Sequence, residues 1–352
     1  MVPTLGVDTY TQLNRILRRQ GYHVIGLHSA VKKCHWTHAA LVEKRFCYKC
    51  KFYGIESHRC VQMTPATLWC WNRCLHCWRL RPKDKGLIWD DTRLPRVDDP
   101  EFIADQSIKE FKRIISGYKG RKGVDPHMFE EALNPRHVAI SLSGEPTLYP
   151  RLGELIEIFH KRGMSTFLVT RGVRPDVLEG LEEEPSQLYV SLEAWNEEMY
   201  KRLNEPLAPN AWKLTLKTLE LLPTFSSPTV MRITLIRGIN MSDRDVEGFA
   251  KLIEIAQPTY IEVKAYMYVG ASRERLKPEN MPRHSEVKEF ARKLSEKTSY
   301  PIRSESVPSR VVLLSRLSKP IRHGKGCPEG WRTPEVEDEF SGEYGKYLDQ
   351  AG

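Results

Sequence analysis

Apolar and polar positions follow two periods along this chain. Short runs rich in β-branched and aliphatic residues stand at HVAISL (137–142), STFLVT (165–170), QLYVSLE (187–193), VMRITLI (230–236) and YIEVKAY (260–266). Their length and residue types predict strands. Between them, stretches such as RLGELIEIFHKRG and DVEGFAKLIEIA place apolar residues at i, i+3 and i+4, the stripe of an amphipathic helix. Strand–helix alternation over this length predicts an α/β fold with a parallel sheet, closed as a barrel or doubly wound. An earlier strand is expected at MTPATLW (63–69), running into Cys70. The stretch 82–100 is expected to be a loop, and residues 316–352 a polar C-terminal tail whose end, PEVEDEFSGEYGKYLDQAG, has a disorder-prone composition.

Charge changes the picture. Of 54 Lys and Arg against 45 Asp and Glu, residues 1–90 hold 15 and 5, so a local net of +10 carries the whole excess of +9. Seven of the eight cysteines, Cys34, Cys47, Cys50, Cys60, Cys70, Cys74 and Cys77, lie there too, with Cys327 alone near the other end. No apolar run approaches the roughly 18–20 residues of a membrane span, and MVPTLGVDTY lacks a signal-peptide layout. The expectation is a soluble, cytoplasmic protein in which clustered cysteines bind metal or do chemistry and a disulfide scaffold is not expected.

The sharpest motif is WCWNRCLHCWR, with cysteines at 70, 74 and 77 directly after the first expected strand. Three thiolates on a [4Fe–4S] cube leave one iron open to a substrate or cofactor. The alternative on spacing alone is a zinc knuckle completed by His58 or His76. The next strand ends in Ser143-Gly144-Glu145-Pro146, at the face where barrels build their sites. Together these motifs resemble the radical S-adenosylmethionine superfamily. That resemblance implies a partial (βα)6 TIM-like barrel preceded by a cysteine-rich basic extension. It implies S-adenosylmethionine contacts at Gly144, Glu145 and Pro146, at Ser191 and Arg232, and at His76, which stands where the pattern usually has an aromatic. Ser191 and Arg232 could equally be ordinary barrel residues.

Cys34, Cys47 and Cys60 are separated by twelve residues each time, a second set of three that leaves Cys50 outside. KKCHW, RFCYK, FYGIESHRCVQMTP, LIRGINM, IEVKAYMYVGASRERL and ESVPSRVVLL make the chain similar to the tRNA 4-demethylwyosine synthase family over roughly residues 20–315, in its shorter, archaeal-type form without a flavodoxin-like domain. The resemblance implies three segments: 1–62 carrying a second cluster and a pyruvate site, 63–315 forming the radical barrel, and the tail from 316. It implies two [4Fe–4S] clusters, S-adenosylmethionine as cofactor, and a separate electron donor such as a flavodoxin or ferredoxin; a monomer is expected.

The implied reaction makes the chain a carbon–carbon bond-forming lyase. It joins two carbons of pyruvate to N1-methylguanosine-37 of tRNA-Phe, after a 5′-deoxyadenosyl radical takes hydrogen from the N1-methyl group. The family places at Lys49 a lysine proposed to form a Schiff base with pyruvate; on residue type alone it could be a solvated lysine or a phosphate contact. Contacts to RNA are expected from the basic segment at Lys32, Lys33, Arg45 and Lys51, and from Ser272, Arg273 and Arg275 after the sixth barrel strand, with Trp36, Tyr48, Phe52, Tyr53 and Trp78 as candidate stacking surfaces. Arg171, in VTRG where the family usually has Asn, Trp71 and Cys50 depart from the family pattern. A radical enzyme acting on another RNA position, and a catalytically silent zinc-containing RNA-binding protein, remain as alternatives.

Overall fold

The structure, a computed structural model, describes residues 7–329 and Trp331. One ten-stranded sheet organises it: β1 (Tyr22–Ile25), β2 (Ser29–Lys32), β3 (Cys60–Thr64), β4 (His137–Ile140), β5 (Ser165–Thr170), β6 (Gln187–Leu192), β7 (Thr229–Leu235), β8 (Tyr260–Ala265), β9 (Ile302–Ser306) and β10 (Val311–Leu314), in the order β1-β2-β3-β4-β5-β6-β7-β8-β10-β9. Strands β3 to β8 are parallel, which requires helical crossovers. The hairpin β1–β2 extends one edge antiparallel to β3, and β10 and β9 extend the other beyond β8.

Helices α1 (Val7–Arg19), α2 (His35–Glu43), α3 (Tyr48–Tyr53), α4 (Pro100–Ser116), α5 (Pro126–Ala132), α6 (Leu152–Lys161), α7 (Pro175–Glu179), α8 (Glu197–Asn204), α9 (Ala211–Leu221), α10 (Asp243–Ala256) and α11 (His284–Lys297) complete it. Local chemistry sets their ends. Asp99 caps α4 from the turn before Pro100, and Ser242 and Asp245 form a capping box that starts α10. The buried stripe of α6, Leu152, Leu155, Ile156 and Phe159, packs into the main core with Val138, Ile140 and Leu168 from the strands.

The expected strand at 63–69 is displaced: it begins at Cys60 and ends at Thr64. Pro65 has no N–H to continue the ladder, and the Thr64 hydroxyl takes the Ala66 N–H at 3.1 Å while donating to Ser143 O at 2.6 Å. The chain therefore turns before Cys70. The stretch up to residue 99 is a loop as expected, with Pro100 opening α4. The expected boundary at residue 62 falls inside β3, so the N-terminal segment shares the barrel's sheet.

Two features absent from the pattern reading fix the barrel interior. Helix α3 lies inside: Tyr48, Phe52 and Tyr53 pack with Phe167, Tyr189, Val230, Tyr260, Val311 and Leu313. Residues 316–329 are not simply a tail, because a strap crosses the N-terminal ends of the parallel strands beneath α3. Ile321 N donates to Tyr260 OH at 2.7 Å, His323 N to Tyr53 O at 2.8 Å, and the His323 ring meets Phe167 edge-on at 5.2 Å. A Cys50–Cys327 disulfide, Cα–Cα 5.3 Å, fastens the strap to α3. This corrects the expectation that both cysteines stand alone: the topology brings together residues 277 positions apart, which spacing does not reveal. The end of the expected polar tail lies outside the described residues.

Candidate functional site

The loop carrying Cys70, Cys74 and Cys77 is held by its backbone. Cys70 N donates to Asp91 O at 2.7 Å, Arg73 N to Asn204 O at 2.9 Å and Leu75 N to Leu203 O at 2.9 Å, so the end of α8 braces the loop. Buried Arg79 donates to Leu68 O at 2.6 Å and Asn72 O at 3.2 Å, and pairs with Asp91. Arg275 reaches in from the other side, donating to Leu75 O at 3.1 Å and to Cys77 O and pairing with Asp84 at 3.3 Å. Cys70 and Cys74 are buried, and burial pushes the Cys74 thiol up to about 11 against the pull of Arg171.

Beside the loop, Glu193 at the end of β6 is fully buried and takes Arg171 on both oxygens, His76 Nε2 at 3.2 Å and Asn204 Nδ2 at 3.1 Å. Asn204 Nδ2 also lies 3.3 Å from Cys74 Sγ. Arg171, a departure from the family pattern, is thus the partner that holds this carboxylate well below its usual range despite burial. Ser191 is buried two residues earlier on the same strand. Gly144 has φ +73°, and a Cβ there would sit 1.6 Å from Ala66 O, so only glycine fits the approach of the two strand ends. Glu145 is buried, accepting from Thr147 and Thr170 hydroxyls at 2.8 and 2.7 Å and Arg171 N at 2.8 Å, and Pro146 opens the following turn.

Buried polar atoms test whether a bound group fits here. Trp71 Nε1, Asn72 Oδ1, His76 Nδ1, Arg171 Nε and Asn204 Oδ1 have no protein partner. Buried polar groups left unpaired cost about 1–3 kcal/mol each, so several beside one cysteine loop fit a polar cofactor.

A second group lies deeper, around α3. Cys34 precedes α2, Cys47 precedes α3 and Cys60 begins β3. The three thiols interact electrostatically with one another and with Lys49, and burial pushes Cys47 and Cys60 up to about 12. Lys49 Nζ sits 4.5 Å from the centre of the Tyr189 ring and 5.1 Å from Phe167. Burial lowers its pKa, Arg232 adds to that, and Glu262, Cys47 and Cys60 oppose it.

Arg232, paired in register with Ser191 across β6 and β7, directs its guanidinium to this second group. It donates to Glu262 at 3.0 Å and to Tyr48 OH at 3.1 Å, while Tyr48 and Tyr53 hydroxyls donate to Glu262 at 3.0 and 2.8 Å. Lys264, two residues on from Glu262, donates to Ser309 O at 2.7 Å, and burial lowers it to about 8. Sequence reading missed Glu262, Lys264 and Tyr189. Their signal was polar residues at alternate positions in otherwise apolar strands, the period of a barrel's inner face.

Neither histidine offered as a zinc ligand is idle, since His58 Nε2 meets Glu131 at 2.8 Å and His76 meets Glu193. Among the described residues no three His, Cys, Asp or Glu side chains are arranged as ligands of one metal ion. A cube binds each cysteine to a separate iron, which is a wider arrangement.

The expected RNA contacts divide. Lys33 and Lys51 are exposed, while Lys32 is half-buried over the Tyr22 ring at 4.9 Å. Lys51 donates to Glu305 O at 2.8 Å. Arg45 pairs with Glu43 at 2.8 Å beside Trp36, and half-buried Arg273 lies over Tyr268. Ser272 is fully buried with its hydroxyl on Tyr266 and Val269, and Arg275 is committed to the cysteine loop, so neither presents a surface group. Tyr48, Phe52 and Tyr53, offered as stacking surfaces, fill the barrel instead.

Residues 64–252 match the Radical SAM superfamily profile and residues 255–316 the profile for wyosine base formation. A tRNA 4-demethylwyosine synthase of Pyrococcus horikoshii is 49% identical over 310 residues, 87% of this chain and 89% of the relative. The chain belongs to the tRNA 4-demethylwyosine synthase family. The Methanocaldococcus jannaschii member is 44% identical over 88% of this chain and 97% of its own. A solved structure of TYW1 with a lysine–pyruvate adduct bound superposes with TM-score 0.79 at 42% identity, covering 89% of this chain and 98% of that one. An archaeal TYW1 crystal structure gives 0.72 at 38% identity, covering 92% of this chain and all of that one. As a family member the chain is a radical enzyme using an iron–sulfur cluster and S-adenosylmethionine. Among the described residues no helix is long and apolar enough to cross a membrane.

Proposed function

We propose that this chain condenses N1-methylguanosine-37 of tRNA-Phe with two carbons of pyruvate to form the tricyclic 4-demethylwyosine base. The observation that carries the reading is Lys49, a half-buried amine on the helix packed inside the barrel and among three cysteines, in a fold shared with a TYW1 that holds a lysine–pyruvate adduct. Two [4Fe–4S] clusters would bind this chain, one on Cys70, Cys74 and Cys77, the other on Cys34, Cys47 and Cys60. When bound, the first cluster and S-adenosylmethionine supply the 5′-deoxyadenosyl radical that takes hydrogen from the N1-methyl group.

The chain's own residues do the rest. Lys49 attacks C2 of pyruvate, and the carbonyl oxygen leaves as water to give an imine. An attacking amine must be neutral, and burial together with Arg232 favours that form. Gly144, Glu145 and Pro146 shape the S-adenosylmethionine cradle, His76 and Ser191 line it, and Asn204 and Arg171 fix Glu193 beside Cys74. Arg232, beside Ser191 in the sheet, holds its charge with Glu262 and Tyr48 at the pyruvate end. Residues 1–62 would carry the second cluster and pyruvate site, and 63–315 the radical chemistry. A separate flavodoxin or ferredoxin would deliver electrons to a cytoplasmic monomer.

Borohydride with labelled pyruvate tests the reading: label should be trapped on the peptide containing Lys49. Lys49→Arg should retain tRNA binding and S-adenosylmethionine cleavage yet make no tricyclic base. Near-normal product from that variant would reduce Lys49 to an electrostatic role. Cluster assignment is tested by replacing Cys70, Cys74 and Cys77 together with Ala, which should halve the iron and abolish deoxyadenosine formation.

A further inference from the structure

The sequence concentrates its excess charge before residue 90, yet the fold adds a distant basic loop to that segment. Residues 117–124, GYKGRKGV, join α4 to α5 and carry Lys119, Arg121 and Lys122, all exposed. The loop is docked on α2. Gly123 abuts Val42, and Asp125 N donates to Leu41 O at 3.1 Å. Tyr118 ties the two together: its hydroxyl meets His38 Nδ1 at 2.8 Å, and its ring is approached by Lys33 Nζ and Arg121 Cζ, each 5.6 Å from the centroid.

Two cations converging on one ring repel each other, and the neighbouring acids are occupied. Glu43 serves Arg45 and His38, and Asp125 caps α5 through Met128 N at 3.1 Å. Among the described residues no carboxylate pairs with Lys33, Lys119, Arg121 or Lys122.

We infer that Lys33, Lys119, Arg121 and Lys122 form a phosphate-contacting surface for the RNA substrate, built from two segments far apart in sequence. The inference rests on the tRNA reading above and deepens it. The occupant is a phosphodiester backbone because the surface offers four exposed cations without a carboxylate partner, two of them meeting over one aromatic ring. Phosphate contacts position a nucleic acid without reading sequence. Lys33 precedes Cys34, so the contact begins one residue from a proposed cluster ligand and would set the register of the RNA relative to the barrel.

The test replaces Lys119, Arg121 and Lys122 together by Gln in the full chain, leaving Lys33 and every cysteine intact. Binding of tRNA is measured by anisotropy from 50 to 300 mM KCl. With three phosphates no longer neutralised, at about 0.7–0.9 each, the log–log slope should flatten by about 2–3, while iron content and melting temperature stay at the parent's values. A Lys119→Arg, Lys122→Arg chain should keep the parent slope. An unchanged slope and affinity in the Gln variant would overturn the inference. So would unchanged tRNA binding with slower turnover on a reduced acidic electron carrier but normal turnover on dithionite, which would make the surface a protein-docking site. A parent chain with no salt-sensitive tRNA binding would instead overturn the functional reading itself, and this surface with it.

Discussion

Glu262→Gln should be among the most damaging single substitutions in the barrel that touch no cysteine. The Glu262 carboxylate is fully buried and accepts from Tyr53 at 2.8 Å and from Tyr48 and Arg232 at 3.0 Å. Hydrogen bonds to a charged group contribute about 1.5–3 kcal/mol each. An amide keeps the shape, but its NH2 faces donors and the Arg232 charge loses its counterion. Breaking one side of a buried pair typically costs about 3–5 kcal/mol. At about 2 °C per kcal/mol for a large domain, melting should fall by roughly 6–10 °C. Arg232→Met should cost a similar amount, and the double variant less than the sum, because it leaves neither charge unpaired. The tyrosines belong to α3, whose first turn follows Cys47. Glu262→Gln should therefore release iron to a chelator faster from the Cys34–Cys47–Cys60 set than from the Cys70–Cys74–Cys77 set. Anaerobic melting and chelator kinetics on reconstituted protein measure both effects. A Glu262→Gln chain within about 1 kcal/mol of the parent, or strict additivity in the double variant, would refute the argument that this network anchors α3.

Gly144→Ala should weaken S-adenosylmethionine binding measured by equilibrium dialysis, since φ +73° alone costs a side chain about 1–2 kcal/mol and the new Cβ meets Ala66 O; parent-like affinity would remove the close approach from the cofactor cradle. Arg275→Met should lower iron retention at the Cys70 loop while leaving the slope of tRNA binding against salt unchanged, because its guanidinium holds Leu75 O and Cys77 O; a flattened slope would return it to the RNA surface. Glu56, lowered to about 2 chiefly by His137 and then by Arg59, lends stability that is present above about pH 4.5 and lost as pH falls towards 2. Melting curves of cluster-free parent and Glu56→Gln should therefore converge across that window, and a constant gap would show that the carboxylate does not titrate there.

The chain's periodicity determined the parallel strands from His137 onward, because each strand's apolar side faces helices whatever its neighbours are. The strand before the first cysteine loop was displaced by Pro65 and the Thr64 hydroxyl, which act through partners at Ala66 and Ser143 that only the folded chain supplies. The Cys70–Cys77 loop and the Ser143–Pro146 turn were legible because local spacing and a left-handed glycine are sequence-local needs. The partners of Arg232, Ser272 and Arg275 were not, since a polar residue's type does not say which groups it meets inside a barrel. Those partners are Glu262, Tyr266 and the carbonyls of Leu75 and Cys77, each distant in sequence or on another element. The helix inside the barrel, the Cys50–Cys327 strap and the pairing of Lys33 with Arg121 over Tyr118 likewise come from tertiary structure alone. Each joins segments whose local patterns are complete without the other, so only closure of the sheet decides that they meet.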